Sequence, residues 1–177
     1  MHHATPLTTS RARRTLLLAL SGMWTLPGRA QAPLPAPKQA VILSITGSIS
    51  MRNLGDGAAF DAAMIDALPT HSFRTSTPWF PQPVTFSGPR LANVLSADGA
   101  RGSTLRMVAL NDYAVEVPFD DAGRFGPLLA RRIDGKVIGV REKGPLFLIY
   151  PFDDRPETRN EVFYSRSIWQ LARISVR

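Results

Sequence analysis

The sequence predicts a single α+β domain that is mainly β, on three observations. Short runs of β-branched and aromatic residues recur between Gly, Pro, Asn and Asp punctuation, apolar residues take helical spacing only in short windows, and no internal repeat is visible. Val41–Gly47 is a strand by its β-branching and its glycine stop. Phe60, Met64, Ile65 and Leu68 follow Asp56-Gly57 at helical spacing until Pro69, which predicts a short helix. Thr70–Thr77 is a strand that runs into Pro78-Trp79-Phe80-Pro81, and Val84–Gly88 is the next. Pro89 then opens a helix carrying Leu91, Val94 and Leu95, proline being suited to a first turn. Thr104–Leu110 and Tyr113–Val117 flank Asn111-Asp112, whose short polar side chains tolerate left-handed geometry, and so form a hairpin. Leu128–Arg132 and Val137–Arg141 flank Asp134-Gly135, and Leu146–Tyr150 and Leu171–Val176 complete the strands.

Residues 1–32 have the order of an export signal: basic residues ending in Arg13-Arg14, an apolar run Leu16–Leu26, Pro27, then Ala30-Gln31-Ala32 before the expected cleavage. That run is shorter than the roughly 20 residues that span a bilayer. No later stretch is long enough to span either, so the mature protein is expected to be exported without membrane insertion. Arg13-Arg14-Thr15-Leu16-Leu17 leaves the general and twin-arginine export routes both open. Residues 33–39 are proline-rich and are expected as an extended tether, with the domain occupying residues 40–177.

Composition closes several classes of function. The chain has no cysteine, which excludes disulfide scaffolds, thiolate zinc sites, iron–sulfur clusters and cysteine nucleophiles. The net charge of +7 is partly the leader's: four of the 21 basic residues and none of the 14 acidic ones fall in residues 1–32. The remaining 17 bases against 14 acids form no basic run interleaved with aromatics, so nucleic acid is not an expected partner. His71 is the one histidine after the leader, too few for a tetrahedral metal site. It lies beside Ser72 with no Gly-x-Ser-x-Gly elbow, and reads as a strand-end residue bonded locally. Asp153, Asp154 and Glu157 read as a solvated loop after a strand. Gly55-Asp56-Gly57 is too short for a phosphate loop.

Four segments set hydroxyls, amides or a guanidinium beside aromatic rings. They are Thr75-Ser76-Thr77-Pro78-Trp79, Asn111-Asp112-Tyr113, Tyr150-Pro151-Phe152-Asp153-Asp154 and Tyr164-Ser165-Arg166-Ser167-Ile168-Trp169. A flat heteroaromatic ligand needs that combination, a ring to stack on and fixed donors and acceptors at its edge.

Gly88–Leu95 after Val84-Thr85-Phe86, Gly144–Pro151, and Ser165–Leu171, in that order, resemble the pterin-cofactor domain of sulfite oxidases over about 130 residues, from Val41 to the C-terminus. Thr75–Trp79, Leu110–Tyr113 and Tyr150–Asp154 resemble more closely the small exported proteins that keep this fold alone, often labelled molybdopterin-binding oxidoreductases. The resemblance implies a sulfite-oxidase-like pterin-binding fold. Sulfite oxidases hold molybdenum through a cysteine on the segment before the Gly-x-x-Leu-x-x-Leu helix, and here that segment reads Thr75-Ser76-Thr77. Soft thiolate ligation is therefore missing, and no metal is expected.

Members of the stand-alone group have been implicated as periplasmic pterin sensors acting on a membrane-bound cyclic-di-GMP enzyme. The resemblance accordingly implies a reduced, tetrahydropterin-type ligand, the periplasmic domain of a signalling enzyme as partner, and no catalysis. The alternative is a molybdenum-cofactor oxidoreductase of the sulfite oxidase type, using Ser76 or an open metal position. For a pterin, Asp112 or Asp153 would accept from the amino edge, Asn111 and Arg166 would donate to the oxo group, and Trp79 would stack. Thr75, Ser76, Thr77, Tyr113, Tyr150, Tyr164 and Trp169 complete the expected ligand-binding set.

Overall fold

A computed structural model describes residues 1–3 and 33–177. The expected export signal falls on residues 1–32 and so lies almost wholly outside the described residues. Residues 33–177 belong to one compact unit.

Five strands make the larger sheet: β1 (Val41–Gly47), β2 (Ala58–Asp61), β5 (Thr104–Ala109), β6 (Ala114–Pro118) and β11 (Leu171–Val176), in the order β2-β1-β11-β5-β6. β1 and β11 pair in parallel and the other neighbours antiparallel. The two-residue period of a strand sorts the side chains. Leu43, Ile45, Leu105, Met107, Ile174 and Val176 are buried, while Arg106 and Arg173 alternate with them towards solvent. Each such aliphatic side chain contributes about 1.5–3 kcal/mol of burial. Gly47 sits in the left-handed region at φ +91°, where a Cβ would lie 2.1 Å from the Val176 carbonyl oxygen, so a side chain there would part β1 from β11.

The second sheet runs β3 (Thr70–Thr77), β4 (Phe80–Pro89), β8 (Arg132–Ile133) and β9 (Lys136–Val137) in spatial order, and β7 (Leu128–Ala130) pairs with β10 (Phe147–Ile149) beside it. α2 (Leu91–Ala97) buries Leu91, Val94 and Leu95 against the shared core. The Asn111-Asp112 and Asp134-Gly135 hairpins form as expected: Asp112 takes φ 64°, Asp134 46° and Gly135 79°.

Several boundaries differ from the sequence reading. Phe60 belongs to β2, and the helix is only α1 (Ala62–Asp66), because Asp61 caps it by accepting from Met64 N–H. β4 begins at Phe80, since Pro78-Trp79 closes a hairpin onto β3, and Pro81 and Pro83 lie where β8 does not pair. The strand expected over 137–141 stops at Val137, and Val140–Glu142 is a 3₁₀ turn. α3 (Asp121–Arg124) and α4 (Glu161–Arg166) were not anticipated. Residues 33–39 carry no regular structure yet are docked rather than loose. Asn53 Nδ2 donates to the Pro35 carbonyl at 2.6 Å, the Lys38 and Gln39 N–H groups donate to Asp61 Oδ2, and Leu34 packs on the core.

Candidate functional site

Three distant segments meet at one end of the β3–β4 hairpin around a cavity of about 480 Å³, within the roughly 300–1,000 Å³ of small-molecule sites. The hairpin turn brings Pro78 and Trp79, β5 and its following turn bring Ala109, Asn111 and Tyr113, and α4 with the segment before β11 brings Glu161, Tyr164, Ser165, Ser167, Ile168 and Trp169.

Trp79 is half-buried at the hub of an aromatic cluster. Its ring meets Phe147 at 5.6 Å, Trp169 at 5.8 Å, Tyr164 at 6.2 Å and Phe152 at 6.4 Å between centroids, all tilted or edge-on. Such pairs contribute about 0.5–1.5 kcal/mol each beyond burial, so the indole is held by its neighbours as well as by the adjacent prolines. Trp169 is 37% exposed at the rim, with Lys143 Nζ 4.6 Å from its ring centroid.

Polar groups line the rest of the wall. Asn111 Oδ1 accepts from Tyr113 N–H at 3.2 Å, which leaves the amide NH₂ as a donor. The Ser165 and Ser167 hydroxyls donate back to Val162 and Phe163 carbonyls at 2.9 Å, so only their lone pairs remain for a ligand. Glu161, in the first turn of α4, supplies the carboxylate. The side chain of Asn160 caps that helix by accepting from Val162 and Phe163 N–H.

The structure thus gathers Trp79, Asn111, Tyr113, Tyr164 and Trp169 of the expected set. Ser76 and Thr77 line an adjoining groove of about 490 Å³ that shares Pro78, Glu161 and Tyr164 with the cavity. Five residues of the set lie elsewhere. Thr75 is fully buried, accepting from Asp153 N–H at 3.0 Å through Oγ1 and donating to the Ser76 carbonyl. Asp153 acts as a strut, accepting from Ser76 N–H at 2.9 Å, from Ser76 Oγ at 3.1 Å and from Arg159. Burial pulls the Asp153 carboxyl upward, but these hydrogen bonds together outweigh it and hold the group below the usual carboxylate range.

Asp112 faces solvent and pairs with Arg173. Tyr150 is wholly buried, its hydroxyl donating to Asp121 Oδ2 at 2.8 Å. Burial first, and the Asp121 charge second, raise its phenol. Arg166 is the counter-ion of the same Asp121 at 3.0 Å and does not line the cavity. The carboxylate expected of Asp112 or Asp153 is found instead at Glu161, which the sequence reading passed over. Asn160-Glu161 ahead of Val162-Phe163 is a helix-start signature that could have placed it.

The molybdenum cofactor implied by the resemblance does not fit the residues at 75–77. The chain offers no thiolate, and the Thr75 and Ser76 hydroxyls are committed to Asp153 and the local backbone.

No protein-family model matches the chain, and no curated protein does. Among solved structures it is similar in fold to the sulfane dehydrogenase SoxCD from Paracoccus pantotrophus, with a TM-score of 0.58 and 14% identity over 76% of this chain and 37% of that one. The chain thus spans little more than a third of that protein. The likeness shows a sulfite-oxidase-like fold, α+β and mainly β, in a single domain.

Proposed function

We propose that this chain is an exported pterin-binding sensor that reports a reduced pterin to a membrane-bound signalling enzyme of cyclic-di-GMP control, without molybdenum catalysis. The observation that supports it best is the cavity itself, where two indoles and two phenols surround a space edged by one carboxylate, one amide and two serines. A pterin presents a 2-amino and N3–H donor edge next to a 4-oxo acceptor. Glu161 can take the donor edge, the Asn111 amide or a tyrosine hydroxyl can serve the oxo group, and an indole can stack. A pocket built this way disfavours a plain apolar ring, because its polar wall would lose water without gaining partners. Export rests on the leader pattern of residues 1–32, and among the described residues no helix is long and apolar enough to cross a membrane. The partner rests on the resemblance to the stand-alone periplasmic group.

The test is native mass spectrometry of the protein purified from its own periplasm, together with fluorescence titration by a tetrahydropterin. A bound pterin without metal, and an N-terminus after Ala32, are expected. A molybdenum-bearing cofactor, or an empty protein that does not titrate, overturns the reading. Glu161→Gln should weaken the pterin about ten- to a hundredfold, the span of losing a charged hydrogen bond worth about 1.5–3 kcal/mol. Because Glu161 is exposed, the melting temperature should be unchanged.

A further inference from the structure

A second cleft opens at the opposite end of β3. It shares no lining residue with the aromatic cavity. It has a volume of about 320 Å³, and three arginines line it from three separate parts of the chain: Arg90 between β4 and α2, Arg124 at the end of α3, and Arg155 in the loop after β10. His71 also lines it, and Asp154 is its one carboxylate.

Among the described residues, Arg90 and Arg124 have no carboxylate within ion-pair distance, and Arg155 reaches only Glu157, at 3.9 Å. Other surface arginines are unpaired too; what sets these apart is that both line one cleft together with Arg155. The backbones that carry them are fixed. The Arg90 carbonyl accepts from Asn93 and Val94 N–H, Arg124 N–H donates to Asp120, and Arg155 N–H donates to Pro151. The Arg124 guanidinium also lies 5.0 Å from the Phe125 ring centroid. Phe73 and Phe125 form an apolar part of the wall, which lowers the local dielectric and strengthens any charge pairing above it.

We infer that this cleft is a second binding site, for a phosphate-type oxyanion. A guanidinium presents its donors as a rigid planar fork matched to phosphate oxygens. Three guanidinium groups on one cleft suit a polyvalent tetrahedral anion, whereas a single carboxylate would satisfy only one of them. The same chemistry is offered by inorganic phosphate, by a soluble phosphomonoester and by a phospholipid headgroup. This inference does not rest on pterin binding.

The test is a titration of the mature protein with inorganic phosphate, followed by nuclear magnetic resonance at low ionic strength, with cosedimentation on phosphatidylglycerol and phosphatidylcholine vesicles in parallel. Saturable shifts centred on Arg90, Arg124 and Arg155 are expected. The double variant Arg90→Gln, Arg124→Gln should bind at least tenfold more weakly while melting at the same temperature and titrating with pterin as before. Saturation by phosphate in solution assigns a soluble ligand; sedimentation with phosphatidylglycerol vesicles alone assigns the headgroup. Absence of both responses, or equal responses from the double variant, overturns the site.

Discussion

Asp121 holds two partners at once, the Tyr150 hydroxyl at 2.8 Å and the Arg166 guanidinium at 3.0 Å, in a position 4% exposed. Removing the carboxylate leaves a mostly buried cation and a buried phenol without partners, which is the costly way to break a buried pair. Asp121→Ala should therefore lose about 3–5 kcal/mol in urea denaturation, whereas Tyr150→Phe, which keeps the ion pair, should lose about 1 kcal/mol. Pterin affinity should survive Tyr150→Phe if the phenol is scaffold; a loss of tenfold or more would return Tyr150 to the site. The sequence shows that tyrosine, aspartate and arginine occur near aromatics, but it cannot show which face of an element each one takes. Leu146–Tyr150 is buried at every position, so Tyr150 points inward with its neighbours, while Asp112 at a turn points out. Trp79, Asn111, Tyr113, Tyr164 and Trp169 were legible as wall residues because each stands at a break in regular structure or on a short amphipathic turn.

At the level of elements, β4 and β7 pass so closely at Gly88 that a Cβ there would lie 2.2 Å from the Leu129 carbonyl oxygen. The obstacle is backbone and cannot rotate away, so Gly88→Ala should push β7 and its partner β10 outward and lose about 1–3 kcal/mol, the range of an overpacked core. Equilibrium denaturation checks it, and a variant as stable as the wild type would mean that the two strands are free to slide. Strands with clear punctuation were legible: β1, β3, β5, β6 and β11 lie within a residue or two of their expected limits. The misread elements share one cause. Phe60 and Met64 are four apart and look helical, yet the chain reaches Asp61 extended and turns only there, so β2 and α1 divide what looked like one helix. α3 and α4, of four and six residues, are too short to show a period, and only Asn160 marks a start.

Across the whole molecule, three carboxylates set opposing trends with pH. Asp61 is held below the usual carboxylate range by Met64 N–H first and by Lys38 and Gln39 N–H, and Asp153 is held low by Ser76 and Arg159 against the pull of burial. Each binds protons more weakly folded than unfolded, so its stabilisation is present above the unfolded value and is lost as pH falls through the folded one. Asp98 behaves oppositely. It is fully buried, Oδ1 accepts from Ala100 N–H at 3.0 Å, and Oδ2 has no partner among the described residues. Burial pushes its carboxyl from 3.8 up to about 7. The folded protein therefore keeps a proton that the unfolded chain releases, and stability contributed by the neutral acid is lost as pH rises from about 4 through about 7. The summed contribution of these three groups is greatest in mild acid, near pH 4. Asp98→Asn keeps the acceptor for Ala100 and removes the buried charge. Its urea-denaturation stability should match the wild type near pH 4, stay flat to pH 8, and there exceed the wild type by about 2–4 kcal/mol, since a tenfold difference in proton affinity between folded and unfolded chain is worth about 1.4 kcal/mol. Parallel curves for the two proteins between pH 4 and 8 would show that water reaches Oδ2 and that Asp98 ionises at no cost to the fold.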